Sequence, residues 1–164
     1  MSDIITYHDN IKAVIEATFP SLKTVAAYRI GEKLNTPALL YEVEQMDFGQ
    51  RISNGKTPVN LNVALHCVLS AKTTNVGLQV RSFATMVIDL LKDEYFELPD
   101  DCEAPYNIQA LPGEFKPGKD GFESFVVTFN QVLYVGDAEF DFSGVAVSEI
   151  TFTSADGDTT TLTP

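Results

Sequence analysis

The chain has 164 residues, with 23 Asp and Glu against 11 Lys and Arg, a formal charge of -12, 45% hydrophobic residues, two Cys and no Trp. At this length folding removes about 70% of the unfolded chain's surface from water, so one core suffices without disulfides or a structural metal, and 11 Phe and six Tyr argue against disorder. The acidic balance excludes functions that depend on neutralising nucleic-acid phosphates or anionic lipid, because both need a basic surface.

From Ile4 to Phe19 the apolar residues Ile4, Ile5, Ile11, Val14, Ile15 and Phe19 recur at three- and four-residue steps, which predicts an amphipathic helix capped by Ser2 or Asp3 and closed by Pro20. Thr24 to Ile30 reads as a short strand and Gly31 to Pro37 as a turn. In Ala38 to Phe48, Leu40, Glu42 and Glu44 alternate with Leu39, Tyr41 and Val43, the pattern of a strand with one buried face. The polar stretch Gly49 to Lys56 contains the turn signal Ser53-Asn54-Gly55. Val59 to Ala71 then resumes the alternation, with Val59, Leu61, Val63, Leu65, Cys67 and Leu69 on one side, and completes a long hairpin.

Thr74 or Asn75 is placed to cap a second helix, in which Val76, Val80, Phe83, Val87, Leu90 and Leu91 form a stripe for the sheet and which ends near Asp93. The segment from there to Pro105 is acidic and loop-like. Two more strands are expected around Tyr106 to Leu111 and Phe122 to Tyr134, separated by the turn-rich stretch Pro112 to Gly121. Ser148 to Leu162 reads as a hairpin folded at Asp156-Gly157, a dipeptide suited to tight primed turns. The predicted fold is α+β, two helices packed on a mainly antiparallel sheet with a C-terminal β-hairpin arm. Residues 1–135 form the domain proper and 136–164 an acidic extension of the same unit.

Chemistry is sparse in this pattern. His8 and His66 are the only histidines, and neither has a nucleophile and an orienting carboxylate nearby in sequence. His66 and Cys67 are neighbours in a strand and so point to opposite faces. Cys67 and Cys102 lack CxxC spacing and read as free thiols. Asp137, Glu139 and Asp141 share one face of an extended chain, but a flat strand gathers calcium ligands poorly; a solvated strand face is the simpler reading. Asp156-Gly157-Asp158 lacks the remaining acids of an EF-hand loop. No catalytic residue, cofactor or metal is therefore expected. The opening residues show no basic region followed by an apolar run, and no apolar stretch approaches 18 residues, so synthesis in the cytosol and no membrane span are expected.

The remaining signals are surfaces. The loops 49–58 and 112–121 hold Arg51, Lys56, Lys116 and Lys119 in an acidic protein, and with Phe48 and Gln50 these are candidates for contacts between copies. Ordinary solubilising loops are the alternative. After Lys119 there is no Lys or Arg, a bias that suits a solvated surface, a basic partner or something to be repelled.

The opening helix Asp3 to Phe19, the strand after Pro20 leading into a long hairpin, and the helix Asn75 to Asp93 followed by further strands resemble the layout of bacteriophage tail terminator proteins, to about Val135. The resemblance implies a non-enzymatic virion protein, made in the bacterial host cytoplasm, that forms a hexameric ring at the head-proximal end of the tail. Such a ring stops tube polymerisation and presents the surface that joins the head. It also implies partners: further copies of the chain, the tail tube protein, the sheath protein in contractile tails, and neck or connector proteins. DNA passes through the channel without specific binding, and Glu42 and Glu44 are candidates for an acidic lumen face. Other readings are a tail tube subunit or neck connector, and a small ligand-binding domain or enzyme.

Overall fold

The computed structural model describes residues 3–29, 34–50, 55–113, 121–138, 150–153, 157 and 159–162. The chain begins with α1 (Ile4–Thr18), where Asp3 Oδ1 accepts the Thr6 N–H at 2.7 Å. That bond satisfies one first-turn donor and holds the Asp3 carboxyl below the ordinary carboxylate range. The buried stripe of α1 is Tyr7, Ile11 and Ile15. Ile5, assigned to it from its spacing, is instead 68% exposed. At about 100° per residue Ile4 falls within the arc spanned by Tyr7, Ile11 and Ile15, whereas Ile5 lies about 80° beyond it.

β1 (Thr24–Ala27) is shorter than the predicted strand, whose end at Ile30 lies outside the described residues, and it pairs with β2 (Ala38–Phe48) in parallel. β2 and β3 (Thr57–Ser70) form the expected antiparallel hairpin. α2 (Val76–Leu91) follows, then β4 (Tyr106–Pro112) and β5 (Phe122–Val135). The five strands lie in the order β1-β2-β3-β5-β4, antiparallel except for β1 with β2. β6 (Ile150–Thr153) and β7 (Thr159–Leu162) pair antiparallel as a separate hairpin, with Gly157 at φ 88° between them. The architecture is thus α+β, two helices on a mainly antiparallel sheet.

Both helices pack on one face. There Tyr7, Ile11 and Ile15 of α1 and Val80, Phe83, Ala84, Val87 and Leu91 of α2 meet Leu39, Tyr41, Leu61, Val63, Leu65, Cys67, Val127, Phe129 and Leu133. Two local expectations are corrected. Asn75 does sit at the N-cap of α2, but its side chain makes no capping bond; it occupies the position through its left-handed backbone, φ 52°, which Asn tolerates. The alternation in β2 breaks at Glu44, an extra residue between Val43 and Gln45 that bulges from the ladder. Beyond it Met46 and Phe48, paired with Leu61 and Val59, lie on the helix side.

The segment after α2 is more than a solvated loop. Phe96 and Cys102 are buried, the Phe96 ring meets Tyr7 edge-on at 5.6 Å, and Cys102 bridges to Leu133. To insert Phe96 the backbone turns left-handed at two successive residues, Phe96 (φ 47°) and Glu97 (φ 61°). Burial of the ring offsets the strain at Phe96, whereas Glu97 is exposed and gains nothing equivalent. Glu97→Gly is therefore expected to stabilise the protein by about 1 kcal/mol and raise Tm by about 2–4 °C in calorimetry; a lower Tm would contradict this reading of the turn.

Candidate functional site

Of the groups that could carry chemistry, the two thiols are buried and free. Desolvation pushes Cys67, and desolvation with the nearby Glu103, Asp101 and Glu94 pushes Cys102, up to about 12, so both stay protonated at neutral pH and are poor nucleophiles. His66 and Cys67 do face opposite sides of β3. On the side away from the helices, His66 Nε2 lies 2.8 Å from Glu42 Oε1 and its ring stacks on Tyr28 at 4.5 Å. His8 packs on Tyr41 at 4.7 Å. Among the described residues no three His, Cys, Asp or Glu side chains gather as a metal site, and no helix is long and apolar enough to cross a membrane. Asp137 is exposed; Glu139, Asp141, Asp156 and Asp158 lie outside the described residues.

A polar knot inside the core depends on Gln131, which is fully buried on β5. The Tyr7 hydroxyl donates to Gln131 Oε1 at 2.6 Å, and Gln131 Nε2 donates to the carbonyls of Glu94 at 2.9 Å and Glu103 at 2.6 Å. One amide thus ties α1 and both ends of the segment 94–103 to the sheet.

The residues expected at contacts between copies are placed unequally. Arg51, Lys116 and Lys119 lie outside the described residues, and Gln50 is exposed at the end of the hairpin strand. The Lys56 ammonium pairs with the carboxylate of Asp101, both side chains being less than one-fifth exposed. Reversing its charge would set a carboxylate against Asp101 inside the subunit, so Lys56 is unsuited to testing a docking role by charge reversal. Phe48 is 63% exposed. Glu42 is occupied by His66, and Glu44 is the exposed bulge residue.

Sequence periodicity missed what joins Phe48 to its surroundings. The apolar row on the helix side of β2 runs past the end of the helix layer, so Met46 is 59% exposed beside Phe48, and the α1 face nearest them presents Ile5. A groove of about 360 Å³ lies there, walled by Ile4, Ile5, Ala27, Tyr28, Val43 and Met46. It opens where β1 stops: the Tyr28 N–H donates to the Tyr41 carbonyl at 2.8 Å, and among the described residues no strand pairs with the outer edge of β2 from Glu42 to Asp47. Among the described residues the far edge of the sheet, β4, likewise pairs with β5 alone, and it exposes Tyr106 and Leu111.

The groove therefore sets clustered apolar side chains next to main-chain donors and acceptors of β2 that no strand pairs among the described residues. No protein-family model matches the chain, and no curated protein matches it.

Proposed function

We propose that this chain is a non-enzymatic structural subunit that assembles into a closed ring, the role implied by its resemblance to bacteriophage tail terminators. One observation carries the reading: Ile5, Met46 and Phe48 form an exposed apolar surface at the end of the helix layer. Water exposure of such a cluster is costly in a monomer and ordinary in a subunit. In this reading the ring is hexameric, caps the head-proximal end of the tail tube in the virion, halts its growth and offers a surface to the neck. The face of the sheet away from the helices supports a channel role. It carries Glu42, Asp47, Asn60, Asn62 and Asn130, and among its described residues there is no Lys or Arg, so a passing polyanion finds nothing to hold it.

Sedimentation of the purified protein across concentration at low and high salt, with negative-stain images of the same samples, tests the proposal. Single closed rings, favoured by salt because it screens repulsion between subunits of charge -12, are the expected result. Long tubes would make the chain a tail tube subunit. A monomer under every condition would count against the ring and favour a ligand-binding domain.

A further inference from the structure

Resting on the ring reading, we infer that the neighbour's β4 fills the groove beside β2, so that the outer edge of Glu42–Asp47 in one copy pairs with Tyr106–Pro112 of the next and the sheets join head to tail. Both edges are unpaired among the described residues and are of similar length, six residues against seven. They are also the two opposite ends of one sheet. Joining different ends gives a heterologous contact, the kind that generates a ring when the rotation closes.

Strand directions fit the junction. β2 and β5 run one way, β3 and β4 the other. Copies related by rotation about an axis near the strand direction keep these senses, so β2 meets the neighbour's β4 antiparallel, the pairing that is slightly more stable per residue. The incoming strand lies in line with β1 and takes up where the Tyr28 bond to Tyr41 ends the existing ladder. On the helix side the incoming strand brings Ala110 and Pro112, whose register partners Val127 and Phe125 face the helices, towards Val43 and the groove, while Tyr106 and Leu111 extend the opposite face of the sheet.

Charge selects the same partner. Two β2 edges facing each other would set Glu42, Glu44 and Asp47 against their own copies, and like charges across a ladder are destabilising. β4 has no charged residue. Antiparallel docking places its Pro112 end beside Glu42.

The test is a double variant, Gln45→Cys with Gln109→Cys. Both positions are exposed and on the face away from the helices, as their register partners Asn62 and Thr128 show. Within one subunit they stand three strand spacings apart, about 14 Å, too far for a disulfide. The native thiols are buried and protonated, so background linking is low. Mild oxidation is expected to give a ladder of covalent multimers with a discrete end point at the ring, while each single variant stays uncrosslinked. Dimers from either single variant at the yield of the double would overturn head-to-tail pairing in favour of twofold contact. No ladder, with rings still seen for the unaltered protein, would overturn this edge pairing and leave the ring reading intact. No ladder and no ring would overturn both, and a ladder without an end point would keep the pairing and overturn closure.

Discussion

Gln131→Leu is expected to cost about 3 kcal/mol or more, lowering Tm by about 6–12 °C for a chain of this size. Leucine fills nearly the same volume, so the loss comes from three polar groups at once. The Tyr7 hydroxyl and the Glu94 and Glu103 carbonyls all lose their bond to the buried amide. Each unsatisfied buried group costs roughly 1–3 kcal/mol; the Tyr7 hydroxyl, in a fully buried residue, carries the largest share, and the part-buried carbonyls of Glu94 and Glu103 add to it. Tyr7→Phe should cost only about 1–2 kcal/mol, since it removes one bond and leaves Nε2 satisfied. In the double variant the two effects should fall short of their sum, because the Tyr7 bond can be lost only once. Denaturant midpoints of the three variants measure this; a Gln131→Leu protein as stable as the parent would show that the knot contributes no net stability.

Ile5→Glu combined with Met46→Glu should weaken association between copies by about two to four orders of magnitude while the monomer's unfolding midpoint stays within about 0.5 kcal/mol of the parent. The separation of effects follows from exposure: neither side chain packs in the core, whereas burying each on association removes apolar area worth roughly 1.5–3 kcal/mol. Acids rather than lysines are the right replacements, because a lysine could find an acidic partner on a neighbour of charge -12. Sedimentation reads the association and calorimetry the monomer. Unchanged assembly by the double variant would remove the groove from the contact, whatever the ring's existence.

Several features of the fold were legible because they are local. The alternation Val59 to Leu69 needs only the two-residue pleat period, and β3 places Leu61, Val63, Leu65 and Cys67 in the core as that period requires. The order of elements, the positions of both helices and the terminal hairpin about Gly157 likewise follow from periodicity and turn chemistry. Tyr7 and Ile5 were harder. Hydrophobicity favours Ile over Tyr for the interior, but the phenol fits because a distant amide, Gln131, accepts its proton. Nothing within a window around residue 7 carries that information.

The candidate surface shows the same division. Chain pattern by itself determined an acidic single-core α+β domain, the paired strands Ala38 to Phe48 and Val59 to Ala71, and Phe48 at the rim of their connecting loop. Tertiary structure decided that Lys56 turns to Asp101, that β1 joins parallel and stops at Tyr28, and that Glu44 bulges so that Met46 follows Phe48 onto an uncovered apolar row. These outcomes depend on partners 11 to 45 residues away in the chain. Periodicity reports which face of a segment is apolar; only the packed arrangement of segments decides which part of that face is left for another molecule to cover.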